Sequence, residues 1–324
     1  MKNLALLFLA FMLSFSTEVL ALDQQPKTLK LTKGIIFQTE KFILAANHSD
    51  KKYSISVALP PTYFEQPDKK FAVMYLLDGH LNFSTAVGLS RWLFRKKGDY
   101  SIEQFVIVAI DYAYDDQQSY AKRDEIWFKS RYQDYTPVPT LSERHGQIKG
   151  QGEQFYQFIS QALFDVIEKH YRVDPQQRTL AGYSLGGLFA SFVLFKHPDT
   201  FSRYLIGDPS LWYAGKPKAL TANDKCVDGM IDDNQCYLSN GIIFDYETQQ
   251  RASGKALNKS IYLSSNHVNG GVMLFNARNL EKRLNQRKNS RLKLKAEYFV
   301  NEDHLSGVSR ALQNGIRFLF GKNG

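Results

Sequence analysis

Hydrophobic positions along this chain form short continuous runs, separated by stretches of helical period. FAVMYLL (Phe71 to Leu77) and QFVIVAI (Gln104 to Ile110) show no polar alternation, which predicts strands buried on both faces of a parallel sheet. GIIFQTEKFIL (34–44) and KKYSISVALP (51–60) alternate in part and predict two more strands, the second stopped by Pro60-Pro61. RTLAGY, YLIG (Tyr204 to Gly207), SIYLSS (Ser260 to Ser265) and LKAEYFV (Leu294 to Val300) supply further strands. From Gly152 to His170, the residues Phe155, Phe158, Ile159, Ala162, Leu163, Val166 and Ile167 recur at helical spacing. A second helix is expected from Ser184 to about Lys196, and GVSRALQNGIRFLF closes the chain as a third. Strands alternating with helices predict a layered α/β domain. Residues 212–258 keep no period and are expected as an irregular insertion over the sheet edge, within one domain spanning 22–324.

The first 21 residues stand apart. Lys2, the apolar run Leu4 to Phe15 and the small-residue pattern Val19-Leu20-Ala21 predict a cleaved secretory signal peptide, hence a secreted or periplasmic protein. No later stretch is apolar enough to cross a bilayer, so no stable membrane insertion of the mature chain is expected. The net charge of +9 raises nucleic acid as a partner. The basic residues are scattered, however, and the densest group (Asn279 to Lys295) reads as a solvated helix end and loop, so no nucleic acid is expected. Cys226 and Cys236 are the only cysteines. In an oxidising compartment they are expected to form a disulfide closing a small acidic loop. The aspartates around them lack the spacing of a calcium loop, and no metal site is expected.

The chemistry is carried by LAGYSLGGLFA (Leu180 to Ala190). Gly182-Tyr183-Ser184-Leu185-Gly186 is G-x-S-x-G between a strand and a helix. That context strains the serine backbone and lifts its hydroxyl clear of the sheet. The helix N-terminus favours developing negative charge, and the Leu185 N–H is the first candidate oxyanion donor. A serine nucleophile needs a base. Of seven histidines, His304 follows the last strand and fits the chain order serine, acid, histidine. The acid is less legible: the loop after SIYLSS contains neither Asp nor Glu, and Asp208, after the preceding strand, is the candidate. A Ser–His dyad, with Asn266 or backbone carbonyls orienting the imidazole, is the other arrangement the sequence allows. The second oxyanion donor is expected at the His80 N–H, after Asp78-Gly79. Trp212 and Tyr213 are candidate walls of a substrate pocket.

These motifs occur in a familiar order. VALPPTYF, VMYLLDGH, FVIVAIDY, RYQDYTPVPT, YRVDPQQRTLAGYSLGGLFA, GDPSLWY and NEDHLSG together resemble the Putative esterase family of α/β-hydrolases, which includes enterochelin and salmochelin esterases and esterase D-like enzymes. The resemblance implies an α/β-hydrolase fold with a mostly parallel sheet and helices on both faces. It implies Ser184 as nucleophile, His304 as base, and Leu185 and His80 as backbone oxyanion donors. The family often places an acid after the strand that here ends near Ser265; this chain has Asn266 and His267 instead. The expected function is a periplasmic serine esterase acting through an acyl-enzyme on a small-molecule ester, of the siderophore-esterase type, with chemistry that needs no cofactor. The competing expectations are an envelope acyltransferase and a hydrolase-fold binding module without catalysis.

Overall fold

The computed structural model describes residues 36–46, 50–95, 101–115, 117–142, 146–214, 218–219, 231–232, 235–236, 241–268, 271–288 and 290–322. The predicted signal peptide and Cys226 lie outside the described residues, as does the side chain of Cys236. Eight strands form the main sheet: β1 (Thr39–Ala45), β2 (Lys52–Ala58), β3 (Phe71–Leu76), β4 (Phe105–Tyr112), β5 (Val173–Tyr183), β6 (Arg203–Gly207), β7 (Ser260–Asn266) and β8 (Lys293–Phe299). Their order across the sheet is β1-β2-β4-β3-β5-β6-β7-β8. β2 runs antiparallel to β1 and β4, and every other neighbouring pair is parallel.

The helices are α1 (Gly79–Arg95), α2 (Tyr120–Tyr135), α3, α4 (Leu185–Lys196), α5 (Ile242–Ala252), α6 (Gly271–Asn285) and α7 (Gly307–Phe320). The helical stretch α3 is an α-helix over Gly152–Gln157, a π-helical turn over Phe158–Leu163 and an α-helix over Phe164–His170. Alternation along β3 shows how the layers form. Val73, Tyr75 and Leu77 enter one core with residues of α2, α3, α4, α5 and α6. Ala72, Met74 and Leu76 enter the other with Ala86 and Val87 of α1 and Leu312 and Ile316 of α7. Both faces are covered, so the strand has no polar alternation to show. This is the α/β-hydrolase architecture. Among the described residues no helix is long and apolar enough to cross a membrane.

One expectation is corrected. The stretch 212–258 is not irregular throughout: α5 occupies its later part and packs against α4. Its buried face combines Ile243 and Phe244 with two polar residues, Glu247 and Gln250, which hides the apolar period. Glu247 is buried and receives Arg287 at 2.7 Å, Arg251 at 2.9 Å and Arg283 at 3.1 Å, tying α5 to the end of α6. Burial alone would raise its pKa, but hydrogen bonds from Arg287 and Arg283, the Arg287 charge and Arg251 hold its carboxyl below the usual range. A depressed folded pKa stabilises the fold above the unfolded value and is lost as pH falls through the folded one. Glu247→Gln is expected to cost about 3 kcal/mol at neutral pH. The gap to wild type should narrow as pH falls below about 4.3, where Glu247 of the unfolded chain takes up its proton while the folded carboxylate, held lower, still resists. Thermal melts of both proteins from pH 3 to 7 check this; a gap independent of pH would refute the role of its charge.

Candidate active site

The loops leaving the C-terminal ends of the parallel strands converge, as open α/β sheets arrange their sites. Asp78 follows β3, Ser184 follows β5, Asp208 follows β6, Asn266 ends β7 and His304 follows β8. Ser184 has φ 60° and ψ −120°, a conformation non-glycine residues rarely adopt. The fold holds it there by backbone bonds. Its N–H donates to the Gly207 carbonyl at 2.9 Å, and its carbonyl accepts from Leu188 at 3.0 Å and Ser210 at 3.1 Å. A Cβ at Gly182 would overlap the Gly186 carbonyl, and one at Gly187 would press on the Gly207 carbonyl and Pro209 at 2.9 Å. Gly186 is less constrained: a Cβ there would come no nearer than 3.4 Å to Asp78 Oδ2 and 3.6 Å to Leu77, ordinary contact distances. The tight contacts belong to Gly182 and Gly187.

His304 Nε2 lies 3.0 Å from Ser184 Oγ, and His304 Nδ1 lies 2.7 Å from Asp208 Oδ2. Asp208 is buried and accepts further bonds from Ser265 Oγ at 2.5 Å, Asn266 Nδ2 at 2.8 Å and the Asn266 N–H at 3.3 Å. Asn266 therefore bonds the carboxylate and is not the orienter of the imidazole itself. Its amide also donates to Tyr183 Oη at 2.6 Å. Burial and the nearby Asp208 charge push the Tyr183 phenol well above its ordinary pKa, so it stays protonated.

The opposite wall is built by α1 and α2. Arg131 forks onto Asp78, with Nε to Oδ1 at 2.7 Å and Nη2 to Oδ2 at 3.0 Å, and Nη2 also reaches the Tyr183 carbonyl at 3.1 Å. One buried guanidinium thus joins the loop after β3 to the residue preceding Ser184. Asp78 itself has φ 54°, so its turn is strained and needs such a tie. The first N–H groups of α1 and α4 precede the helical ladder and lack intrahelical acceptors. The His80 and Leu185 N–H groups are among them. The His80 ring, in contrast, points into a separate cavity, with Nδ1 3.0 Å from Asp111 Oδ2 and its edge against Trp127 at 5.3 Å. Burial works against its charged form, but Asp111, with Asp78 and Asp124, raises its pKa overall.

The cavity above Ser184 measures about 370 Å³, within the range of small-molecule sites. Trp127, Phe128, Trp212, Met273 and Leu305 give it mostly apolar walls. Trp212 is 39% exposed and lines it, as expected. Tyr213 does not line it: the side chain is 2% exposed and its hydroxyl donates to the Val138 carbonyl at 3.0 Å, supporting the wall from behind. Sequence reasoning gave no role to Trp127, Arg131 or Ser210. Trp127, Arg131 and Tyr135 recur every four residues on the buried face of α2, a signal that could have marked an arginine among aromatics as buried and therefore paired.

Fold and site together define an α/β-hydrolase with a serine at its nucleophile elbow. The chain belongs to the esterase family described as Putative esterase, which matches residues 46–235. It is similar to ferri-bacillibactin esterase BesA of Bacillus subtilis (strain 168), 30% identical over 205 residues that cover 61% of this chain and 66% of that one. It is also similar to a siderophore enterobactin esterase of Emericella nidulans, 28% identical over 291 residues, covering 85% and 91%. Among solved structures, the BES protein from Bacillus cereus superposes with a TM-score of 0.73 at 25% identity, covering 90% of this chain and 98% of that one. Siderophore hydrolase EstA from Aspergillus nidulans, at 22% identity and a TM-score of 0.67 over 90% and 98% of the two chains, shares the fold.

Proposed function

We propose that this esterase hydrolyses siderophore esters through an acyl-enzyme on Ser184. The observation that carries the mechanism is the relay from Ser184 Oγ to His304 Nε2 at 3.0 Å and from His304 Nδ1 to Asp208 at 2.7 Å. Asp208 fixes the ring with Nδ1 protonated and leaves Nε2 free to accept. His304 takes the serine proton as Oγ attacks the ester carbonyl. The amides of Leu185 and His80 receive the oxyanion, and His304 returns the proton to the departing alkoxy oxygen. Water, deprotonated by His304, then releases the acid. These distances favour chemistry over a silent binding fold. The siderophore assignment is supported by the two named relatives and the aromatic-walled cavity, and the net charge of +9 suits an anionic ferric catecholate. Export to the periplasm is supported by the run Leu4 to Phe15 and the small residues ending at Ala21.

Fluorophosphonate labelling of the purified protein, read by intact mass, tests the mechanism. One adduct is expected, absent in Ser184→Ala and formed at least about 100-fold more slowly in His304→Ala. A folded wild-type protein that takes no adduct would overturn it. Ferric and iron-free catecholate trilactones, compared with simple alkyl esters by product chromatography, test the substrate; equal rates on all three would refute the siderophore assignment.

A further inference from the structure

The loop after β6 carries a second hydroxyl into the site. Ser210 stands two residues beyond Asp208, is 3% exposed and lines the cavity beside Ser184 and His304. Its N–H donates to the Ser184 carbonyl at 3.1 Å, so its position is set by the nucleophile turn itself. Its Oγ lies 3.5 Å from Ser184 Oγ, longer than the ~2.7–2.8 Å usual between hydroxyls. Among the described residues that long contact is the only hydrogen bond of the Ser210 hydroxyl. Other polar groups of the cavity are committed: Asp78 and Arg131 to each other, Asn82 to the Leu77 carbonyl, Tyr183 to Asn266. Ser210 therefore holds a buried donor in an apolar cavity with its hydrogen bond poorly made, where a well-aligned acceptor gains most.

Strand order fixes the side from which it acts. β3 and β6 flank β5. The α1 amides come from the β3 side and define where the oxyanion sits. Asp208 and Ser210 come from the β6 side, with His304 bonded to Asp208. The leaving oxygen must lie toward His304 Nε2, since that atom returns the proton. It shares a tetrahedral carbon with Ser184 Oγ and so falls close to it, within reach of a hydroxyl already beside that oxygen.

We propose that Ser210 is a catalytic residue for leaving-group departure, donating a hydrogen bond to the alkoxy oxygen of the scissile ester; this rests on the acyl-enzyme reading above. In the step, the carbon–alkoxy bond breaks with its electron pair going to oxygen. The proton on His304 Nε2 moves to that oxygen, the carbonyl re-forms on the Ser184 ester, and Ser210 keeps its own proton. The hydrogen bond strengthens as negative charge builds on the oxygen, which makes it a transition-state interaction.

The test compares an alkyl ester with a p-nitrophenyl ester of the same acyl group, using kcat/KM because it reports acylation. An alkoxide needs stabilisation to leave; nitrophenolate needs little. Ser210→Ala is expected to lower kcat/KM on the alkyl ester about tenfold or more beyond its effect on the aryl ester. Ser210→Thr, which keeps a hydroxyl, should restore the alkyl-to-aryl ratio. Equal losses on both esters, no loss on either, or a threonine variant with the alanine ratio would overturn the proposal. Failure of wild-type fluorophosphonate labelling would instead remove the acyl-enzyme reading on which it stands.

Discussion

Ser184→Ala is expected to reduce kcat by at least about ten-thousandfold while leaving the protein folded. The change removes one oxygen from a position whose backbone is held by Gly207, Leu188 and Ser210, so the turn keeps its shape. What disappears is the atom that forms the covalent bond. The amides and His304 remain and can still polarise a bound ester, which sets the residual rate. Steady-state hydrolysis and a melting curve on the same preparation check the claim together. A variant retaining more than about one hundredth of wild-type activity would refute Ser184 as nucleophile.

The second large effect is expected at Asp208. Asp208→Asn should lower kcat by about 10⁴-fold with little change in substrate affinity. The wild-type carboxylate only accepts, and Ser265, Asn266 and His304 all face it as donors. An amide in that place turns an NH₂ group toward at least one of them. If it meets His304, the imidazole must present an acceptor at Nδ1 and carry its proton on Nε2, where it can no longer take one from Ser184. The effect is therefore on the tautomer. A loss smaller than about tenfold would mean that the imidazole is held by other groups, and the site would be a dyad.

The doubly buried strands were readable because covering both faces of a sheet leaves a distinctive apolar run, and β3 and β4 showed it. The nucleophile turn was readable from Gly182-Tyr183-Ser184-Leu185-Gly186, in which the close approach of the Gly186 carbonyl demands glycine at Gly182. The acid was harder for a physical reason. Asp208 lies 96 residues from His304 in sequence, and only the side-by-side placement of β6, β7 and β8 brings the two together. Asn266, the last residue of β7, stands where the family often carries an acid and binds the Asp208 carboxylate from there. α5 is hidden because Glu247 occupies an interior position made tenable by Arg251 one turn along the helix and by Arg283 and Arg287, 36 and 40 residues further on. Tyr213 was misplaced because an aromatic pair in a loop gives no sign of which ring faces the cavity.

Asp78, Ser184 and Asp208, one on each of three neighbouring strand ends, all have positive φ, at 54°, 60° and 33°. Non-glycine residues in such conformations carry about 1 kcal/mol or more of strain each. Ordinarily these are the positions where a glycine substitution raises the melting temperature. Here that gain is open only at Ser184, where it would silence the protein: glycine at Asp78 would strand the buried Arg131 guanidinium, and glycine at Asp208 would leave Ser265, Asn266 and His304 without their acceptor, each costing more than the strain relieved. Selection of thermostable variants from a random library should recover relief at Ser184 only when activity is not also screened, and should leave Asp78 and Asp208 unchanged. The conflict between durability and turnover thus sits at one backbone angle, while Gln38 and Ala214, at φ 53° and 54°, carry comparable strain with no side chain in the relay.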